Sequence, residues 1–225
     1  MSEPKIQFSY SALKTFEQCP KKYYHTKIAC DVKDVPGQAA QYGLQFHKAA
    51  ELYGSENKKL PSEFRDQQKL LDTLLAIEGD KYFELEMGVR QTDGGYETCE
   101  FSDEDRWFRC IADYVCVDKS KGYSVDYKTS KSARYADTKQ LDGVAAALFL
   151  KFPELDTIKS GLLFTVCNEF VRKTHYREHL DSYLAGFIPT VEALTQTMET
   201  GVWNAKTSPL CGWCPVKQCE HHIER

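Results

Sequence analysis

The sequence predicts a mixed α/β fold, a central mixed β-sheet flanked by helices, and three observations carry that expectation. Residues 8–80 are patterned as helices. From Lys81 the pattern shifts to alternation and short β-rich runs. After a central hairpin it returns to helix, strand and long helix.

The elements follow in order. Residues 8–18, FSYSALKTFEQ, suit a short helix with Ser9 as N-cap and Leu13 and Phe16 inward. Pro20 stops it or starts a new turn, and KKYYHTKI follows, with aromatics interleaved among bases. GQAAQYGLQFHKAAELYG reads as a helix of about four turns ended by Gly54, with Gly43, His47, Ala50 and Gly54 along one stripe. Residues 61–80 read as another helix, with Phe64, Leu70, Leu71, Leu74 and Leu75 inward. YFELEMGVRQ alternates as a strand, Asp93-Gly94-Gly95 is a turn, and YETCEF extends beyond it.

The runs Trp107–Val117 and Tyr123–Lys128, joined by Asp118-Lys119-Ser120-Lys121-Gly122, form a hairpin with a four- or five-residue loop. Asp126 and Lys128, two apart on a strand, share a face. A turn at Asp118 to Lys121 sets Asp113 opposite Asp126, whereas a one-residue slip sends it to the other face. Beyond lie a helix from Ala136 to Leu150, a buried-type strand IKSGLLFTVCN, an antiparallel continuation through TVCNEFVRKTHYRE, and a helix from about Glu178 to Thr200.

Composition sets bounds. The 225 residues suffice for one good-sized core, so a single domain is expected: 1–80 mostly helical, 81–176 a sheet core, 177–225 a helix and cysteine cluster. No run of eighteen apolar residues exists, which excludes a membrane span, and MSEPKIQFSYS lacks a signal-peptide core, so a cytoplasmic protein is expected. The net charge of −4 divides unevenly: residues 51–105 hold fifteen acids and six bases, and the remainder carries +5. Six Lys/Arg lie within Lys119–Lys139, Lys131 and Arg134 among them, a local patch able to hold a phosphate backbone. Lys21, Lys22 and Tyr23 pair charge with an aromatic ring in the manner of a nucleic-acid surface. A solvated face is the plainer reading of either run.

Two facing carboxylates repel, and a cation holds both ionised. Oxygen ligands suit Mg²⁺ or Mn²⁺. The plainer alternative is a surface ladder of Asp and Lys.

Nine cysteines without a secretory signal point to thiols or metal ligation. Cys30, Cys99, Cys110, Cys116 and Cys167 are scattered and read as small buried hydrophobes. Cys211, Cys214 and Cys219 form C-x₂-C-x₄-C, three soft ligands that need a fourth. His221 or His222 would complete a zinc site, and Cys19 would complete a four-thiolate iron–sulfur site.

The order Gly43-x-x-x-His47, strand-borne Asp113, Asp126-Tyr127-Lys128 and helical Gln140 resembles the PD-(D/E)XK nuclease superfamily. The RecB-type branch, with the CRISPR-associated Cas-four nucleases and related phage exonucleases, looks most similar. The resemblance spans Ser9 to Cys219 and implies a restriction-endonuclease-like core. It implies a metal held by His47, Asp113, Asp126 and the Tyr127 carbonyl, with Lys128 as catalytic lysine and Gln140 positioning substrate. Val144 stands where that branch has a tyrosine after the glutamine, and Tyr135 is the candidate to replace it. Glu86 is a further candidate to reach the site. The Cys19-Pro20-Lys21-Lys22-Tyr23 stretch matches the position of the first cluster ligand in iron–sulfur members. A [4Fe–4S] cluster on Cys19, Cys211, Cys214 and Cys219 is therefore favoured over zinc.

The implied function is a metal-dependent DNA exonuclease acting on ends or single strands, in recombination, repair or CRISPR-type processing, with a DNA-processing protein as a possible partner. The rivals are an inactive DNA-binding scaffold of the same fold and a zinc or redox protein centred on the cysteines.

Overall fold

Register along β3 and β4 decides where the acids of the hairpin point, and the rest of the sheet is arranged around that pair. In the computed structural model, residues 6–223 are described. The chain divides into two compact units, one from residues 37–185 and one from residues 1–36 with 186–225.

The first unit is built on a six-stranded sheet in the order β2-β1-β3-β4-β5-β6. Its strands are β1 (Asp80–Thr92), β2 (Gly95–Cys99), β3 (Phe108–Asp118), β4 (Lys121–Lys128), β5 (Thr157–Phe164) and β6 (Glu169–Tyr176). Only β4 and β5 run parallel, joined through α5 (Lys139–Lys151), so the sheet is mixed as the sequence predicts. The helices α3 (Gln38–Glu56) and α4 (Gln68–Leu75) cover one face. Phe46, Ala50, Leu71 and Leu74 pack there with Tyr114, Cys116, Val125 and Tyr127. Helix α5 covers the other, where Leu141 meets Leu162 and Phe164. Alternation along β4 therefore puts Asp126 and Lys128 on the α5 face, where Lys128 meets Gln140.

A buried polar network fastens α5 to the sheet. His175 of β6, fully buried, lies 3.2 Å from Ser160 Oγ of β5 through Nδ1 and 2.8 Å from Asp142 Oδ1 of α5 through Nε2. Lys173 adds a 2.5 Å ion pair to the same Asp142 oxygen.

The second unit is held by α1 (Tyr10–Gln18), α2 (Pro20–Tyr23) and α7 (Ile188–Thr200). Ser9 caps α1 by accepting from the Ala12 N–H at 3.4 Å. Leu13, Phe16, Tyr23, Phe187 and Leu194 are buried. A π-helical turn, Tyr24–Ile28, follows α2.

Several expectations change on contact with the fold. The β3–β4 loop is two residues, Lys119-Ser120, because Lys119 adopts φ +53° and closes the tight hairpin turn between Asp118 and Lys121. Gly54 does not end α3, which runs on to Glu56 with Asn57 in the left-handed cap. Its glycine serves close packing instead: a Cβ there would lie 2.1 Å from the Phe83 ring. Residues 61–80 form a 3₁₀ segment, Ser62–Gln67, before α4. The helix expected over 178–200 breaks into α6 (Leu180–Ala185) and α7, since Pro189 favours the first turn of a new helix. Of the five cysteines read as buried, Cys116 is buried, Cys30 is exposed at φ +53°, and the other three are half-buried.

Candidate functional site

Strands β3 and β4 pair from Asp118↔Lys121 to Tyr114↔Val125 and then diverge. One step further along this register sets Asp113 opposite Asp126, as the short turn requires. At the fork the Tyr127 N–H, freed from the ladder, donates to Asp113 Oδ2 at 2.7 Å. Asp113 is thereby buried at 8 % exposure with a fixed orientation. The Tyr127 carbonyl, the ligand implied by the resemblance, lies 3.0 Å from His47 Nε2.

His47 reaches this fork from α3, where Gly43 one turn earlier lets the helix come close: a Cβ on it would sit 3.0 Å from Thr129 Oγ1. His47 Nδ1 lies 3.3 Å from Asp113 Oδ2. Both ring nitrogens thus face oxygen atoms, the Tyr127 carbonyl and the Asp113 carboxylate. Burial pulls its pKa down, but the Asp113 hydrogen bond and charge, with Asp126 and Glu84 behind, outweigh burial and leave it raised.

Glu84 is the residue that sequence reasoning missed. It stands opposite Asp113 between the pairs Phe83↔Tyr114 and Leu85↔Ala112, and its φ of +47° departs from strand geometry. Such a non-glycine conformation costs on the order of 1–3 kcal/mol and persists only where its surroundings impose it. His47, Glu84 and Asp113 each bring a ligand atom within 4.8 Å of the others, the spacing that suits a cation. Burial and the Asp113 charge push the Glu84 carboxyl up to about 7. One imidazole and two carboxylates gathered in this way form a donor set that suits a hard divalent ion. Glu86, the sequence candidate, is exposed and paired opposite Ile111, away from the site. Alternation alone puts Glu84 and Glu86 on one face, and the signal separating them is the register with β3.

Asp126 does not join that trio. Its Oδ2 lies 2.7 Å from Lys128 Nζ, an ion pair without hydrogen-bond geometry. Burial and then Asp113 raise its pKa, against the pull of Lys128. Lys128 Nζ also donates to Gln140 Oε1 on α5 at 3.1 Å. The fold thus gathers His47, Asp113, Asp126, Tyr127, Lys128 and Gln140, and adds Glu84. Tyr135 does not replace the missing tyrosine, because it is 85 % exposed and turned out to solvent.

The residues expected to meet nucleic acid divide. Lys131 and Arg134 are exposed on the loop between β4 and α5. Tyr23 is a correction: it is buried, packed edge-on against Phe16 and stacked on Trp203, so no ring face is open to a base. Lys21 pairs with Glu220, and Lys22 with Asp34 at 3.2 Å.

In the second unit Cys19, Cys211, Cys214 and Cys219 line one cavity of about 790 Å³ together with His221 and His222. Cys19 Sγ accepts from the Lys206 N–H and Cys211 Sγ from the Ser208 N–H, each at 3.4 Å. His222 Nδ1 is buried without a hydrogen-bond partner. The four thiols do not form a group with all ligand atoms within 4.8 Å, as the active-site trio does.

The chain matches the PD-(D/E)XK nuclease superfamily over residues 7–219. It belongs to that superfamily. Its members use divalent metals, and the His47–Glu84–Asp113 group is a place for one. No curated protein matches the chain by sequence. Among solved structures, a candidate exonuclease from Eubacterium rectale is 14% identical at a TM-score of 0.52, covering 93% of this chain and 87% of that one. The protein SSO0001 is 12% identical at a TM-score of 0.45, covering 99% and 90%. At such identity the first of these likenesses concerns the fold. Among the described residues no helix is long and apolar enough to cross a membrane.

Proposed function

We propose that this protein is a divalent-metal-dependent deoxyribonuclease, an exonuclease acting on DNA ends or single strands in recombination, repair or CRISPR-type processing. The observation that carries this is the fork between β3 and β4, where a three-ligand group stands beside an ion-paired lysine. Likeness in fold to a candidate exonuclease supports it.

His47, Glu84 and Asp113 would hold Mg²⁺ or Mn²⁺, with Asp126 and the Tyr127 carbonyl next to them. Bound there, the ion supplies Lewis-acid stabilisation of the scissile phosphate. Asp126 holds Lys128 in place through the ion pair, and Gln140 holds its Nζ from the α5 side. Lys128 orients the attacking water or offsets charge on the phosphate as it develops. Lys131 and Arg134 would take the backbone of the substrate. An inactive scaffold is less well supported, since His47, both acids and Lys128 are all present in one place.

The cysteine cavity would hold a [4Fe–4S] cluster. The four cysteines line that one cavity, two of them accepting backbone N–H groups at sulfur, and soft thiolates supported in this way suit a cluster.

The test is cleavage of labelled single- and double-stranded DNA with Mn²⁺. Asp126→Ala and Lys128→Ala are expected to lose about 10³-fold in rate while keeping the fold. Full activity in either variant would sink the assignment.

A further inference from the structure

The ten-residue loop from Thr129 to Thr138 leaves Lys128 and returns at Gln140, and the hydrogen bond between those two side chains closes its base. It is a built loop. Ala133 and Ala136 pack into the cluster of Leu141, Leu162 and Phe164. The Arg134 N–H donates to Ser132 Oγ at 3.1 Å, and the Ala136 N–H to the Ala133 carbonyl at 2.9 Å. With both alanines turned in, the two residues between them are turned out. Tyr135 is the most exposed large hydrophobic side chain among the described residues, and Arg134 sets its guanidinium 5.4 Å from the ring centroid. A cation over one face polarises the ring and leaves the opposite face open.

An aromatic ring displayed on an anchored loop, next to an arginine and one loop away from the catalytic lysine, matches the chemistry of base stacking. Every base has a π-face, so such a platform accepts any sequence, while the adjacent cation meets the phosphate. A duplex hides those faces except at its ends. We propose that Tyr135, backed by Arg134, is a stacking platform for an unpaired base and that it directs single-stranded DNA to the site. The proposal rests on the nuclease reading and deepens it by naming the substrate strand form.

The experiment uses a short fluorescein-labelled oligothymidylate and an otherwise identical oligonucleotide containing 2-aminopurine. Binding is followed in EDTA by anisotropy and by quenching, and cleavage is followed separately with Mn²⁺. Tyr135→Ala is expected to raise both Kd and KM for the single strand about ten-fold, with kcat held within about two-fold. Tyr135→Phe, which keeps the ring, is expected to stay within about two-fold of the parent. Quenching of 2-aminopurine should persist in the Phe variant and vanish in the Ala variant, and blunt duplex affinity should be unmoved. An unchanged Kd in Tyr135→Ala, an equal loss in Tyr135→Phe, or a parallel loss on duplex overturns the proposal. Cleavage by Tyr135→Ala at parental KM would sink the platform and leave the nuclease standing. Absence of cleavage in the parent protein would sink the nuclease reading, while the binding arm would still decide the platform.

Discussion

The two units make their sites by opposite means. In residues 37–185 the chemistry is positioned by a sheet. Asp113, Asp126 and Glu84 sit where strand register puts them, and backbone groups of Tyr127 fix Asp113 and His47. In the other unit four thiols from residues 19 and 211–219 face a cavity, and the bonds that would define their geometry are those to a ligand. A site framed by register stays formed when its ion leaves. One framed by ligation would not, and the proposed cluster would then contribute to the folding free energy.

The sharpest way to break that contrast is to remove one ligand from each. Glu84→Gln should weaken Mn²⁺ binding about 100-fold, as read by the metal dependence of cleavage, with an unchanged thermal midpoint. Cys211→Ser should act the other way, lowering the midpoint by about 5–10 °C and removing broad absorbance in the visible range. Were the serine variant as stable as the parent, the cysteine cavity would be framed by packing after all. Gly54→Ala tests the framework behind the ion site. The added methyl would meet the Phe83 ring, so a loss of about 1–3 kcal/mol in urea unfolding is expected.

The smallest effect is expected at Asp142. Burial raises its carboxyl pKa, but hydrogen bonds and charge from His175 and Lys173 prevail and hold it below the ordinary value. A carboxylate with a depressed folded pKa adds stability that is complete above its unfolded pKa, about 3.9, and fades as pH falls through the folded value. Asp142→Asn should cost about 1 kcal/mol near neutral pH and flatten the acid limb of the stability curve below about pH 4. A variant with the parental acid limb would show that this network carries no such linkage.

Much of this architecture is legible from local pattern. The hairpin and its acids can be read because two short β-rich runs bracket a polar turn, and a two-residue period then fixes which side chains share a face. Glu84 is not legible in the same way. Its choice over Glu86 depends on pairing with a strand that begins more than twenty residues later, and on a positive φ that no neighbouring residue announces. Tyr23 misleads for a related reason: lysines and aromatics in a row look like a binding surface until Trp203, 180 residues away, stacks on the ring. Pro189 is a readable stop signal within the helix expected over 178–200, and it opens α7.

The second unit is assembled from segments at opposite ends of the sequence, and that has a consequence for biosynthesis. A ribosome releases Cys19 well before the Cys211–Cys219 clip, with the whole sheet unit between them. At 5–20 residues per second the interval is roughly 10–40 s. Throughout it the sheet can pair and pack, whereas Cys19 waits as a solitary thiol with no partners yet made. Assembly of the proposed cluster therefore waits on the release of Cys211, Cys214 and Cys219.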